Sequence, residues 1–332
     1  MTDLNLPPGF TARLIDPQAD VDAVTELCAS AGMAEYGTPD ITPDLVRESY
    51  NDPSFDPRTD GLLVADADGK LGAVIEYYDS QVDHVAPFVY LRVRPDLVDS
   101  GVGEPLLAWA EQRGQTTLGL AAPDLRVSLH ASAAGVNEPM QRVFERAGWA
   151  QERVYWTMEI ELAAEPPEVP ALPAGVAIRT AVAGEDEPAI HAAEVEAFAD
   201  HFGYIPRSYE EWLRFATKVF PYDPSLWFLA VEGDQVAGMA LCLIEAPGRP
   251  DVGWVATLGV RPAWRGKGVG LALLKQAFAE LHRLGLRKVG LGVDSQSLTG
   301  ATRLYERAGM LVARDQRSYE RVLRDGREIR PT

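Results

Sequence analysis

The chain has 332 residues, of which 46% are hydrophobic and 24% charged, and its formal net charge at pH 7 is −18. This composition is typical of about two globular domains and excludes a disordered chain. The negative charge argues against nucleic acids and anionic membrane surfaces as partners, because contacts with phosphate need a basic face. It suits a cationic partner such as an amine.

The location of the protein follows from its cysteines and its N-terminus. Only Cys28 and Cys242 occur, so no disulfide framework is expected and a reducing compartment, the cytoplasm, is predicted. Residues 1–10 lack the basic and apolar regions of a secretory signal. No apolar run approaches the roughly 20 residues that span a bilayer. We expect no metal site, and both a monomer and a homodimer stay open.

Hydrophobic periodicity predicts two series of strands and helices, in residues 1–165 and 176–332, joined by a proline-rich linker at 166–175. The first series has expected strands at 10–15, 61–66, 70–78, 88–93, 125–130 and 154–162, and helices at 20–31, 43–50, 103–113 and 138–147. The second has expected strands at 176–180, 227–231, 235–245, 252–260 and 288–293, two closing strands within 310–323, and helices at 186–199, 209–220, 269–284 and 299–308.

The two series repeat the same motifs. Val93-Arg94-Pro95 recurs as Val260-Arg261-Pro262, and Gly101-Val102-Gly103 recurs at the same offset as Gly268-Val269-Gly270. Phe-Glu-Arg-Ala-Gly-Trp at 144–149 is similar to Tyr-Glu-Arg-Ala-Gly-Met at 305–310. A period this long indicates tandem domains rather than a solenoid. The order of elements predicts a mixed α/β (α+β) fold in both domains.

The loop after strand 252–260 has the composition of an anion site. Gly266, Gly268 and Gly270 allow successive backbone N–H groups to turn toward one point at the start of a helix. Arg265 and Lys267 add positive charge. The pattern contains neither the Gly-Lys-Ser/Thr of a P-loop nor the dinucleotide fingerprint G-x-G-x-x-G. It therefore predicts a pyrophosphate site of another kind.

This loop resembles the acyl-CoA-binding motif of the GNAT superfamily of N-acetyltransferases. The segment at 293–310 is similar to the family's strand and helix that carry Leu-Tyr-Glu-x-x-Gly-Phe. Among tandem-domain members the chain resembles mycothiol synthase. The resemblance implies two GNAT-like domains, each with a mostly antiparallel, splayed sheet flanked by helices. In the second domain the splay would lie between strands 252–260 and 288–293. Acetyl-CoA would be the co-substrate.

The repeat allows the two domains to be compared. Val-Asp-Ser at 98–100 aligns with Arg-Gly-Lys at 265–267, so the first loop lacks both cations and has a carboxylate where a pyrophosphate would lie. Phe144 aligns with Tyr305. We therefore predict that the first domain is degenerate and does not bind CoA productively, and that the second domain is catalytic.

The expected roles in the second domain follow from the motifs. The backbone of Leu258 is expected to stabilise the thioester oxygen, and Tyr305 matches the family's usual general acid. Ser297 stands where many relatives have an asparagine that contacts CoA. The predicted CoA-binding residues are Leu258, Gly259, Val260, Arg265, Gly266, Lys267, Gly268, Val269, Gly270, Leu271 and Ser297.

The general base is not identified by the sequence. In relatives that use a glutamate, that residue lies at the position of Trp254, which cannot accept a proton. Either water relays the proton, or a group from elsewhere accepts it. Asp251 and Glu245 lie near that strand, and the other candidates lie on or after the helix at 186–199: Glu194, Glu196, Asp200, His201 and Tyr204. The residues expected to contact the acceptor are Trp254, Glu196, His201 and Tyr204.

The predicted function is transfer of acetyl from acetyl-CoA to a primary amine of a small molecule, by direct attack in a ternary complex. The identity of the amine stays open, because Trp254 replaces the glutamate of mycothiol synthase. The alternative is an acyl-CoA-binding sensor or interaction module without turnover, which the missing base favours.

Overall fold

The computed structural model describes residues 4–39, 41–219, 222–297 and 300–331. The chain forms two compact units. The first contains the residues up to Tyr155 together with Arg314–Ile329, and the second contains Trp156–Ala313 together with the residues from Arg330. The predicted domain bounds differ from these units, because residues 314–329 join the first unit although they follow the second copy in sequence.

The first unit is a mixed sheet with helices on both faces. Its strands run in the order β1-β2-β3-β4-β5-β12, and all neighbouring pairs are antiparallel except β4 and β5. The strands are β1 (Thr11–Leu14), β2 (Gly61–Ala65), β3 (Leu71–Tyr78), β4 (Phe88–Val93), β5 (Val127–Ala134) and β12 (Leu311–Arg324). The helices are α1 (Val21–Tyr36), α2 (Pro43–Tyr50), α3 (Gly103–Thr117) and α4 (Glu138–Arg146).

The second unit has the same plan. Its strands run in the order β6-β11-β10-β9-β8-β7, with a parallel pair only between β10 and β11 among the pairs whose direction is described. The strands are β6 (Ala150–Glu161), β7 (Val176–Thr180), β8 (Trp227–Glu232), β9 (Gln235–Leu243), β10 (Val252–Val260) and β11 (Lys288–Asp294). Residues 150–155 of β6 belong to the first unit, and residues 311–313 of β12 belong to the second. The helices are α5 (Glu187–Phe198), α6 (Tyr209–Arg214), α7 (Val269–Arg283) and α8 (Ala301–Arg307).

Each sheet is covered on both faces by apolar side chains. In the second unit α7 packs Leu273 and Phe278 against one face, while α5 packs Ile190 against Met239 on the other. Both residues of α7 are fully buried. Burial of a strand on both faces explains why β9 reads as a continuous apolar run rather than an alternating one.

The repeat extends to an ion pair that fixes the first helix of each unit. The Arg13 guanidinium donates to both carboxylate oxygens of Asp20 at 2.6 Å. Arg179 binds Asp186 in the same way, at 2.6 and 2.7 Å. In both pairs the arginine lies on the first strand and the carboxylate just before the helix, so the two copies share this part of their scaffold.

The predicted mixed α/β fold, with mostly antiparallel sheets flanked by helices, is confirmed. The two closing strands expected within 310–323 are wrong, because one strand, β12, covers this region. The helix predicted at 209–220 is α-helical only to Arg214 and continues as a π-helical turn, Phe215–Val219. Phe220 and Thr299, each at an end of a predicted helix, lie outside the described residues. In the part of the chain that the structure describes, no helix is long and apolar enough to cross a membrane.

The end of the chain contributes a core residue to the first unit. Tyr319 on β12 is fully buried and stacks on Phe144 of α4, with 4.7 Å between ring centroids. Its hydroxyl is buried without a hydrogen-bond partner among the described residues. The contribution of Tyr319 to stability therefore comes from ring packing rather than from hydrogen bonding.

We predict that Tyr319→Ala lowers the free energy of unfolding by about 3–5 kcal/mol, the usual effect of removing a buried aromatic ring. Tyr319→Phe is the control and should change stability by less than about 1 kcal/mol, because no hydrogen bond is lost. Urea denaturation of the full chain measures both values. Equal losses in the two variants would contradict this account of the β12 contact.

Candidate active site

The two parallel strands of the second unit, β10 and β11, separate after the third residue of each strand. β10 and β11 pair at Val252 with Lys288, Gly253 with Val289 and Trp254 with Gly290, and no later pair joins them in the described residues. β10 continues to pair with β9 as far as Val260. The edge of β10 from residue 255 to 260 is therefore open on the side of β11.

A bulge changes the direction of β10 at the point of separation. Val255 pairs with Cys242 and Thr257 pairs with Leu241, so Ala256 is an extra residue on β10. Its side chain is exposed. Bulges increase the local twist of a strand and redirect the groups that follow.

The backbone groups on the open edge can be assigned. The Arg261 N–H donates to the Ala237 carbonyl on β9 at 3.0 Å. Because N–H directions alternate along a strand, the backbone groups of Leu258 and Val260 point away from β9. The Val260 carbonyl accepts a hydrogen bond from Arg265 Nε at 3.1 Å, which agrees with this direction. Leu258 thus presents its N–H to the opening.

The loop that follows β10 uses its glycines in two ways. Gly266 and Gly268 have φ of +72° and +87°, in the left-handed region, and a Cβ at either position would meet open space. Gly270 has an ordinary φ, but a Cβ there would lie 3.0 Å from Leu304 Cδ1 on α8. The first two glycines shape an open loop, and the third lets α7 pack closely on α8.

This loop leads directly into the N-terminus of α7. The helix begins at Val269, and its first backbone bond joins the Ala272 N–H to the Gly268 carbonyl. The N–H groups of Val269, Gly270 and Leu271 precede that bond, so they have no partner within the helix. Such N–H groups and the positive end of the helix dipole favour an anion.

The two cations of the loop have different environments. The Arg265 guanidinium donates to both carboxylate oxygens of Asp200, at 2.5 and 3.1 Å, and to the Ala197 carbonyl at 2.8 Å. This pairing lowers the pKa of Asp200. Arg265 therefore ties the loop to the end of α5. Lys267 is exposed and has no ion-pair partner in the described residues, so it is the cation open to a ligand.

Tyr305 on α8 is buried, with 6% of its surface exposed. Burial raises its pKa to about 12. None of the described residues forms a hydrogen bond with its hydroxyl.

Ser297 lies in the turn between β11 and α8, where its N–H donates to the Asp294 carbonyl at 3.0 Å.

The predicted acceptor residues separate into two groups. His201 and Tyr204 both pack on Phe198 at the end of α5, with ring centroids 4.5 and 5.9 Å from it. Phe198 in turn contacts β10, because a Cβ on Gly259 would lie 2.9 Å from Phe198 Cε2. Burial raises the pKa of Tyr204 to about 12. His201 and Tyr204 therefore lie on the α5 side of β10, near Gly259.

The other two predicted acceptor residues have structural partners. The Glu196 carboxylate accepts from Arg261 Nε at 2.7 Å, so it fixes α5 to the end of β10. The Trp254 indole packs against Gly290, where a Cβ would lie 2.9 Å from the ring. Trp254 thus stands where β10 and β11 part. Phe198 was missed by sequence reasoning, although it lies in the helix predicted at 186–199, only three residues before His201.

A second carboxylate on α5 is partly buried. Glu194 accepts a hydrogen bond from Trp212 Nε1 of α6 at 3.0 Å. Burial raises its pKa, and the hydrogen bond from Trp212 partly offsets that rise. The carboxylate of Glu194 is therefore held by α6, away from the end of the helix where His201 lies.

The corresponding loop of the first unit has no cation. It is a 3-10 turn over Pro95–Ser100, in which the Val98 side chain is buried and Asp99 is exposed. A Cβ on Gly103 would lie 2.5 Å from Val143 Cγ1, so this glycine serves helix packing, as Gly270 does. In both copies the last glycine of the loop allows close helix packing, whereas only the loop of the second copy carries positive charge.

Among the described residues, one group of side chains is close enough to hold a metal ion. His130, Glu152 and Glu320 in the first unit have ligand atoms within 4.8 Å of one another. Arg126, however, donates to both oxygens of Glu320 at 2.6 and 2.7 Å. Burial alone would raise the pKa of Glu320, but the hydrogen bonds from Arg126 and Ser128 outweigh it and lower that pKa to about 2. The carboxylate is thus neutralised by arginine, and the group is an ion-pair network.

Comparisons with known proteins agree with this geometry. The model of the acetyltransferase (GNAT) family matches residues 189–310. A mycothiol acetyltransferase of Geodermatophilus obscurus is 34% identical over 299 residues, covering 89% of this chain and 92% of that protein. The crystal structure of a GCN5-related N-acetyltransferase from Sphaerobacter thermophilus has a TM-score of 0.83 at 34% identity, covering 98% of this chain and 100% of that one.

A tandem GNAT protein from the clavulanic acid biosynthesis pathway shares the fold, with a TM-score of 0.71 at 15% identity over 96% of this chain and 100% of that one. The chain belongs to the GNAT family of acetyltransferases and is an acyltransferase of the N-acetyltransferase type. The predicted resemblance to tandem GNAT proteins and to mycothiol synthase is confirmed.

We predict that Gly259→Ala destabilises the protein by about 1–3 kcal/mol, because the new Cβ would lie 2.8 Å from Met239 Sδ and 2.9 Å from Phe198. Gly292→Ala on β11 is the matched control, because a Cβ there meets nothing within 4 Å. Its unfolding free energy should equal or exceed that of the parent. Urea denaturation compares the two, and equal stabilities would show that α5 does not pack tightly on β10.

Proposed function

We propose that the chain transfers acetyl from acetyl-CoA to a primary amine of a small molecule, and that the second unit performs the reaction. The observation that carries the proposal is the open edge of β10, which leads directly into the glycine loop and the N-terminus of α7. An elongated thioester with a pyrophosphate at one end fits this arrangement. Membership of the GNAT family supports acetyl-CoA as the co-substrate.

The pyrophosphate would bind at the loop. Backbone N–H groups at residues 266–271 can converge on it, because Gly266 and Gly268 leave open space where a side chain would stand. Lys267 adds a charge that no described carboxylate neutralises. The pantetheine arm would then extend along the edge from Leu258 to Val260, pairing as a strand would with the backbone groups that point away from β9. Ser297 lies on the β11 side of this opening. Binding at the remote end orients the thioester for attack.

The chemical step would take place beside Leu258. Its N–H can donate to the thioester oxygen, which gains negative charge as the amine attacks. The nitrogen–carbon bond forms, the carbon–sulfur bond breaks, and the thiolate of CoA leaves. The Tyr305 hydroxyl remains protonated at neutral pH, since its pKa is about 12, and can donate to the departing sulfur.

The acceptor would enter from the side of α5. His201, Tyr204 and Trp254 offer aromatic surface there, which suits a small molecule rather than a polymer. Curated relatives are named mycothiol acetyltransferase, and we propose for this chain an acceptor of the same general kind, a small molecule with a primary amine. The net charge of −18 favours the approach of a cationic amine.

Binding of acyl-CoA without turnover is the second candidate, because Trp254 stands where relatives with a glutamate base have that residue. In either case we propose that the first unit does not bind CoA productively. Its loop has Asp99 and lacks the cations of the second loop.

We predict that Lys267→Glu weakens acetyl-CoA binding by about tenfold to a hundredfold, the effect of losing a charged contact to phosphate. Calorimetry should find one site in the parent chain. Lys70→Glu, on the exposed hairpin between β2 and β3, makes the same change in net charge and should bind like the parent. Equal weakening in both variants, or a second site that persists in Lys267→Glu, would contradict the assignment to this loop.

Lys267→Glu is a cleaner test than Arg265→Glu. Replacing Arg265 would break its bonds to Asp200 and Ala197 and would displace the loop from α5. A loss of affinity in that variant would therefore report on loop structure as well as on phosphate binding.

We predict that Tyr305→Phe lowers kcat by about 10²-fold, because the leaving thiolate loses its proton donor. The acetyl-CoA Kd should stay unchanged, since the ring is kept and the hydroxyl has no described hydrogen-bond partner to lose. Thiol release from acetyl-CoA with a panel of primary amines measures kcat. A parent chain that binds acetyl-CoA but releases no thiol with any amine would favour the candidate without turnover.

A further inference from the structure

The proposed reaction needs a group that removes a proton from the amine, and Trp254 cannot do so. The carboxylates of α5 and of the turn after it all have partners. Glu196 is bound to Arg261, Asp200 to Arg265 and Glu194 to Trp212. Each is held by a hydrogen bond of 3.0 Å or less. None of the three is therefore free to turn toward the opening beside β10.

His201 is placed differently. Its ring packs edge-on against Phe198, with centroids 4.5 Å apart, and Phe198 contacts Gly259 on the open edge of β10. The imidazole is half-buried and forms no hydrogen bond with any residue that the structure describes. Its two ring nitrogens are therefore available to a ligand, beside the strand along which the thioester would lie.

The backbone around His201 is fixed. The His201 N–H donates to the Phe198 carbonyl at 2.9 Å, and the Tyr204 N–H donates to the His201 carbonyl at 3.1 Å. The Gly203 N–H is bound to the Pro331 carbonyl at 2.8 Å. These bonds hold the turn after α5, so the imidazole is presented from a defined backbone rather than from a free loop.

We propose that His201 is the general base that takes the proton from the acceptor amine. This inference rests on the proposed function. The amine nitrogen attacks the thioester carbon, the nitrogen–carbon bond forms and the carbon–sulfur bond breaks. The ammonium form of the acceptor first gives one proton to a ring nitrogen of His201, which frees the amine to attack. A second proton leaves the nitrogen after attack and replaces the one that Tyr305 donates to the thiolate, and the proton on His201 returns to solvent. The products are the N-acetylated amine and CoA.

The charged groups that face His201 allow this role. Burial, the larger effect, and the positive charge of Arg265 lower its pKa, whereas Asp200 and Asp294 raise it. The net direction is downward from the ordinary value of about 6.5. The imidazole is therefore neutral at pH 7 and can accept a proton.

The mechanism predicts a dependence on the basicity of the amine. A neutral His201 accepts a proton from an ammonium, so the parent chain should already reach its plateau in kcat/KM near pH 7. Without His201, only amine that is already deprotonated can react. The rate of such a variant should rise about tenfold per pH unit until the pKa of the amine is reached, as a simple titration requires.

The experiment measures thiol release from acetyl-CoA with benzylamine, which is protonated at pH 7, and with aniline, which is neutral. His201→Ala and His201→Gln should lose about 10²-fold in kcat/KM with benzylamine at pH 7, and less than tenfold at pH 9. With aniline the loss should be small at both pH values. Added imidazole should restore part of the rate of His201→Ala at pH 7.

Two controls distinguish a failure of the proposed function from a failure of the role assigned to His201. His191→Gln changes a histidine within α5, whose Nε2 lies 3.0 Å from the Arg207 carbonyl, and it should keep the pH profile of the parent. The acetyl-CoA Kd of the His201 variants should equal that of the parent. A parent chain that acetylates neither these probes nor any other small primary amine would overturn the proposed function and this inference with it. An active parent with unchanged His201 variants would overturn the inference alone.

If the His201 variants lost kcat/KM equally at pH 7 and pH 9, and with both amines, the assignment of His201 as the general base would also be overturned. That result would assign His201 a structural role in holding the turn after α5. His201→Gln guards against misreading a folding defect, because its amide fills much of the space of the imidazole.

Discussion

The separation of β10 from β11 after the pair Trp254 and Gly290 is the constraint on which the candidate site depends. The Trp254 indole fills the space above Gly290, and any side chain at position 290 would displace it. Beyond this pair the backbone of β10 has one edge in the β9 ladder and the other edge free. Without that free edge, Leu258 would give its N–H to a neighbouring strand and the glycine loop would adjoin a closed sheet.

Two arginines next to the opening maintain its shape. Arg261 and Arg265, on either side of a short 3-10 turn, bind Glu196 and Asp200 at the end of α5. These bonds place α5 against the strand. Since both guanidinium groups are paired with carboxylates, we propose that backbone N–H groups and Lys267 supply the affinity of the loop for an anion. Partly exposed ion pairs contribute little to stability, so their main effect here is positional.

Local sequence patterns predicted most of the fold. The bounds of β4, β7 and β10 were predicted to the residue, because turn residues and apolar runs mark strand ends directly. The glycine loop was predicted because the left-handed conformation at Gly266 and Gly268 requires glycine. The course of β12 could not be predicted, since nothing in its sequence specifies which distant strand it joins. For the same reason the partners of Arg265 and Glu196 were not foreseen, because long side chains choose among several neighbours only after packing is fixed.

The membership of β12 in the first unit has a consequence for biosynthesis. The ion pair between Arg126, just before β5, and Glu320 on β12 joins two residues of the first unit that are 194 positions apart in sequence. During translation, the segments up to Tyr155 emerge long before their partner strand and expose an unpaired edge on β5. Unpaired edges attract other strands, so the nascent chain has a prolonged interval in which chaperones compete with aggregation. Closing so long a loop also slows the folding of the first unit, so the first unit completes its fold at nearly the same time as the second.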